Sequence, residues 1–298
     1  MWRPIRARIS VWFCITLMSM ASSGTVMAQE DNAKPSLLNK ITPDTLPEEP
    51  ATPDNISQRA KEGDGLLEQR YRFETSTQTN PFVITPHRPN YFFPVSFRPE
   101  PNQQSYSDAS TENATLDAVE FAFQLSIKFP VATSIVGKNS SLWFAYTQRA
   151  FWQAYNSEIS APFRDTNHEP EAFIIKRLDD QYRLGGLLPK NMIVGVNHQS
   201  NGQAGSVSRS WNRLYMEFVY ESERTIYSIK PWYRLSETDV NDDNPNIERY
   251  LGYGELNVVH VLSDDYSLDL MLRNNLRSDN KGAVQLGFNF PMWGKIRG

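Results

Sequence analysis

The chain has 298 residues, with 30 Lys plus Arg against 34 Asp plus Glu, a formal net charge of −4 and a single cysteine. The slightly acidic balance argues against a nucleic-acid partner, and one cysteine excludes a disulfide framework or a cysteine-based metal site. Mean hydropathy is negative, yet this does not exclude a membrane barrel, whose strands alternate lipid-facing and lumen-facing residues and so average low in any window.

Arg3, Arg6 and Arg8 lead into the apolar run Val11 to Met18, and Val26-Met27-Ala28 supplies a small-residue cleavage pattern, so residues 1–28 read as an export signal. The run is too short for the ~20 residues of a spanning helix. Cys14 lies inside it, which leaves the exported chain without cysteine and suits a protein of the Gram-negative envelope. Residues 29–85 are rich in Pro, Asp, Glu, Asn and Thr, as in Ile41-Thr42-Pro43-Asp44 and Pro47-Glu48-Glu49-Pro50, and are expected to form a flexible periplasmic extension.

Residues 86–298 are expected to form an all-β, antiparallel transmembrane barrel. Tyr91 to Phe97 is its first strand, with Pro94 near a strand edge. Val119, Phe121, Phe123, Leu125, Ile127 and Phe129 then alternate with Glu120, Ala122, Gln124, Ser126 and Lys128 without a slip. At ~3.3 Å per residue and a tilt of ~45° this strand rises about 23 Å, near the ~25 Å apolar band of such barrels. Further strands are expected over Ser141 to Gln153, Glu171 to Leu178, Leu187 to Ser200, Arg209 to Tyr220, Thr225 to Leu235, Glu248 to Leu262, Tyr266 to Arg277 and Ala283 to Phe290. Tight connections such as Glu221-Ser222-Glu223-Arg224 and Ser263-Asp264-Asp265 alternate with long polar loops at 155–168 and 236–247, as between the periplasmic and extracellular sides of a barrel. A closed bacterial barrel needs an even strand count, and Gly298 falls where an eleventh strand would begin.

Met192, Val194, Val196, His198 and Ser200 share one side of the fifth strand, and Asn212 shares parity with Leu214, Met216 and Phe218 on the next. His198, Ser200 and Asn212 therefore belong to the apolar, lipid-facing side. If the hairpin pairs His198 with Asn212, their Cβ atoms come within ~5 Å. Ser200 then reads as a nucleophile, His198 as its general base, and Asn212 as the group that fixes the imidazole. A His-x-Ser on a strand is a weak signal alone. Polar groups turned toward lipid are costly, however, and the facing strengthens the functional reading.

These residues lie within Tyr146-Thr147-Gln148-Arg149, Asn156-Ser157-Glu158, Pro162-Phe163-Arg164, Asn197-His198-Gln199-Ser200-Asn201-Gly202, Ser208-Arg209-Ser210-Trp211-Asn212-Arg213-Leu214-Tyr215 and Lys230-Pro231-Trp232-Tyr233. Together they resemble the outer-membrane phospholipase A family over most of the chain from about residue 117. The resemblance implies a twelve-stranded barrel, of which the last two strands would be missing from this chain. It also implies calcium-dependent hydrolysis of phospholipid and lysophospholipid acyl esters at both glycerol positions, and activation as a homodimer. By motif position it makes Ser208, the Gln203 backbone carbonyl and Ser160 of the second subunit the calcium ligands, the Ser200 and Gly202 amides oxyanion donors, and Gln148 a dimer-interface residue. Gln199 and Gln203 depart from the family, where an acidic residue and an arginine are usual; neither bears on the three catalytic positions.

The acidic cluster of Asp239, Asp242 and Asp243 lacks the glycine and distal glutamate of an EF-hand and reads as a solvated loop. His168 and His260 stand alone in the sequence and read as structural. A non-catalytic barrel, either a pore or an inactive relative, and a soluble β-barrel lipid carrier are the competing expectations.

Overall fold

A computed structural model describes residues 10–11, 65–77, 84–103, 115–158, 163–178, 189–203, 207–237, 242, 244–264, 266–293 and 296–297. The proposed signal and most of the extension lie outside the described residues. Ten long strands follow one another in chain order: β1 Tyr91–Phe97, β2 Val119–Thr133, β3 Ser140–Trp152, β4 Phe163–Arg177, β5 Asn191–Ser200, β6 Ser210–Ser222, β7 Thr225–Leu235, β8 Gly254–Val261, β9 Ser267–Asn274 and β10 Gly282–Asn289. Each pairs antiparallel with the next in a single up-and-down sheet. Among the described residues no ladder joins β1 to β10, whose outer edge carries a two-residue parallel pairing with Ser10–Val11. The sheet is thus a barrel-like wall, described without its closure.

Burial runs opposite to that of a water-soluble sheet. On β2, Glu120, Ser126 and Lys128 are no more than 3% exposed, whereas Leu125 and Phe129 are 43% and 49% exposed. The same inversion holds for Val194 and Val196 against Asn197 on β5, and for Leu214 and Met216 against Tyr215 on β6. Apolar side chains dominate the outer face, while the inner face takes the polar residues together with a cluster of large aromatic ones, as expected of a wall whose outside is hydrocarbon.

The inner face is filled rather than open. Trp143, Phe173, Ile175, Trp211, Tyr215 and Trp232 form a buried cluster, with Trp211 and Trp232 edge to face at 6.2 Å. Beside it, Arg88 donates to Glu169 and Glu171, each at 2.7 Å, and Tyr215 donates to Glu171 at 3.0 Å. Buried carboxylates persist only where cations and hydrogen bonds replace water; segment 84–90, which supplies Arg88 and His87, provides that compensation. Gly195 on β5 lets the wall stay close here, since a Cβ at that position would stand 2.6 Å from the Phe173 Cβ and 2.8 Å from the Ala172 carbonyl.

Three elements depart from the expectations. Within the stretch read as an extension, Leu66–Thr77 forms helix α1. Its Leu67 and Tyr71 pack on Val219, its Leu67 amide donates to Glu221, and Lys128 donates to its Glu74 at 2.6 Å. These partners place α1 against the inner side at the end of the wall opposite Ser200. The expected loop at 155–168 is shorter, because β4 already begins at Phe163. The expected strand from Glu248 starts with one helical turn, α2 Glu248–Leu251, and becomes extended only at Gly254.

Candidate active site

The β5–β6 hairpin builds the site. Its register sets His198 opposite Asn212 and Ser200 opposite Ser210, as strand parity predicts, and His198 Nδ1 lies 2.8 Å from Asn212 Oδ1. That bond assigns the Nδ1 proton to the imidazole and leaves Nε2 to face other groups. Ser200 follows two residues along the same outer side of β5. Asn212 turns its amide nitrogen the other way and donates to Glu237 Oε1 at 2.6 Å.

Glu237 was not found from the sequence, where it falls at the start of a polar loop. Parity contained the signal: Tyr233 and Leu235 are outward on β7, Leu235 is the register partner of Asn212, and Glu237 continues the same alternation beyond the strand end.

His168 is also better placed than its isolation in sequence suggested. It is the register partner of Ser200 from β4, and its Nδ1 lies 2.6 Å from the Tyr146 hydroxyl. On its other side Gln148 is its register partner from β3, so Leu125, Gln148, His168, Ser200 and Ser210 form one row across five strands. His260 pairs with Thr225 at 2.8 Å, far along the chain from this row.

The loop after Ser200 folds around buried Asn201. The Asn201 side chain donates to the Val207 carbonyl at 2.9 Å and accepts from the Arg209 and Gln203 amides at 2.9 and 3.3 Å. Gln203 and Ser208 are thereby gathered in one short loop beside Ser200, and Gly202 adopts a left-handed φ of 66°, which a side chain would strain. Their carbonyl and hydroxyl are neutral, hard oxygen donors of the kind calcium accepts. No cluster of three or more His, Cys, Asp or Glu side chains suited to a metal occurs among the described residues. Ser160, Asp239 and Asp243 lie outside the described residues; Asp242 instead accepts both contacts from Arg234 at 2.5 Å.

The cavity nearest the hairpin is lined by Asn167, Gln199, Arg209, Trp211 and Tyr250. Gln199 and Trp211 belong to the inner parity, so the sheet separates this cavity from Ser200. The serine side is an open outer surface, suited to a substrate already lying in the surrounding lipid.

The phospholipase A1 family model matches residues 67–298. The chain belongs to the phospholipase A1 family. It is 38% identical to phospholipase A1 of Escherichia coli K12 over 73% of this chain and 72% of that one. The solved outer-membrane phospholipase A of Escherichia coli superposes with a TM-score of 0.65 at 37% identity, covering 72% of this chain and 80% of the other. The Salmonella typhi outer-membrane phospholipase, solved as a dimer with bound calcium, gives the same score at 36% identity, covering 72% and 81%. The protein is accordingly a hydrolase of the phospholipase A type with an outer-membrane, β-barrel-type fold.

Proposed function

We propose that the chain hydrolyses acyl esters of phospholipids and lysophospholipids at both glycerol positions, with Ser200 as nucleophile, His198 as general base and Asn212 orienting His198. The observation that carries this reading is the 2.8 Å His198–Asn212 contact on the apolar outer side of the wall, in step with Ser200. In this reading His198 Nε2 takes the Ser200 hydroxyl proton as Oγ attacks the ester carbonyl, then returns it to the departing glycerol oxygen. Water, activated by the same imidazole, releases the acyl group. The Ser200 and Gly202 amides face the developing oxyanion.

Gln203 through its carbonyl, Ser208 through its hydroxyl, and Ser160 of a second subunit would hold calcium. The ion would add positive charge beside the oxyanion. A homodimer formed around Gln148 accounts for a site completed by a residue from outside the hairpin. The strands would cross the outer membrane with the Ser200 end toward the extracellular leaflet, where the longer connections gather. The buried Arg88–Glu169–Glu171 network and the tryptophan cluster stand against an open pore.

The test is phospholipid hydrolysis by the purified chain in detergent with calcium, with chelator, and with Ser200→Ala. Hydrolysis that needs calcium and vanishes in Ser200→Ala is expected; undiminished hydrolysis by that variant would remove the mechanism.

A further inference from the structure

A triad that ends in an amide leaves the imidazolium with a neutral partner, which stabilises positive charge less than a carboxylate does. In this chain the amide is not the last group. Asn212 accepts from His198 with its oxygen and donates with its nitrogen to the Glu237 carboxylate, at 2.8 and 2.6 Å. A donor bonded to an anion becomes more polarised, and here the polarisation pushes electron density onto the Asn212 oxygen that faces His198.

Glu237 is also held in place. It follows Leu235, the register partner of Asn212. Downstream, Asp242 is clamped by Arg234 at 2.5 Å and Asn244 donates to the Ser210 carbonyl at 3.3 Å, which ties the loop back to the hairpin. Near the site, the described titratable groups on the outer side include His168, bound to Tyr146 beside Ser200, and Tyr233 on β7. Arg213 contacts Asn197 and Gln199 on the inner side, and Arg209 pairs with Asp165 at 2.7 Å. Glu237 is thus the carboxylate bonded to the far side of the amide.

We propose that Glu237 is a positioning residue that supplies, through Asn212, the negative charge missing from the Ser200–His198–Asn212 set. The proposal rests on that set being the catalytic one. Glu237 touches neither substrate nor nucleophile; it fixes the amide orientation and, through the amide, offsets the positive charge that forms on the imidazole during the reaction.

The experiment measures kcat and KM of the full chain in detergent with calcium and a dispersed phospholipid. The variants are Glu237→Gln, Asn212→Asp, the double Asn212→Asp with Glu237→Gln, and Ser200→Ala, each checked for an unchanged heat-unfolding midpoint. Glu237→Gln keeps an oxygen to accept from Asn212 but removes the charge. It is expected to lower kcat roughly tenfold at constant KM. Asn212→Asp sets two carboxylates against each other and lowers kcat; the double variant, whose glutamine can donate to the new aspartate, is expected to recover at least threefold over it. A wild-type kcat in Glu237→Gln, or a double variant no better than Asn212→Asp, overturns the proposal. If Ser200→Ala is inactive, such a failure belongs to Glu237 alone; an active Ser200→Ala would instead bring down the triad.

Discussion

Gln148 and Ser200 stand in one row across the outer side of the wall, two strands apart, with His168 between them. At ~4.8 Å between strands, the proposed interface glutamine lies about 10 Å from the proposed nucleophile. A second subunit docking on Gln148 would therefore cover the approach to Ser200 and could deliver a ligand to its loop.

Replacing Gln148 by Leu removes an amide that would otherwise hydrogen-bond within lipid. Interhelical polar contacts in membranes contribute about 0.6–1.7 kcal/mol each, so the dimer constant is expected to fall roughly 3- to 18-fold. Analytical ultracentrifugation in micelles with calcium and a bound substrate analogue measures it; an unchanged constant removes Gln148 from the interface.

Asn212→Ala frees the imidazole to rotate and leaves Glu237 without its partner. The expected loss is about one to two orders of magnitude in kcat, with KM and the heat-unfolding midpoint little altered. Wild-type turnover in this variant would show that His198 needs no support from β6.

Gly195→Ala tests the packing of the inner face. The added methyl would meet the Phe173 Cβ at 2.6 Å and the Ala172 carbonyl at 2.8 Å, and strands in a continuous ladder cannot separate locally without losing hydrogen bonds. Overpacking of this kind costs about 1–3 kcal/mol. The thermal midpoint in detergent should fall while the site, on the opposite side of the sheet, keeps its chemistry.

Helix α1 should respond to acid. Burial alone would push the Glu74 carboxyl up, but Lys128 and Arg70 outweigh it and hold it below the usual glutamate range of about 4.5. A carboxyl lowered in the folded state stabilises the docked helix above its unfolded value, and that contribution is lost as pH falls through the folded one. Protection of the α1 amides from hydrogen exchange, relative to their intrinsic rates, should therefore fall below about pH 4.5, and Glu74→Gln should show the lower protection already at neutral pH. A variant that exchanges like wild type would refute the role given to the Lys128 contact.

β2 could be read from Val119 to Phe129 because its two sides differ at every step there, although the strand runs on to Thr133 past a register shift at Pro130; His198, Ser200 and Asn212 could be placed because parity needs no coordinates. β4 could not. From Thr166 to Pro170 its outer side carries Thr166, His168 and Pro170 where a lipid-facing strand should be apolar, and a bulge at Trp152 shifts the register. The alternation vanishes where the strand runs past the site, as local rules tend to fail around functional residues. α1 was hidden for a different reason. Its buried side is Leu67, Tyr71 and Glu74, and a glutamate counts as an inward residue only once Lys128 is opposite it. Glu237 was visible in principle, but loop composition masked the strand parity that reaches it.

The way Arg88 is used makes the segment before β1 part of the wall. Glu169 and Glu171 belong to the wall, yet their compensating guanidinium comes from a segment some eighty residues earlier in the chain. A chain beginning after Arg88 would leave both carboxylates without the guanidinium that binds them at 2.7 Å. The shortest durable form of this fold must therefore begin upstream of Arg88, so that it still carries its own counter-ion.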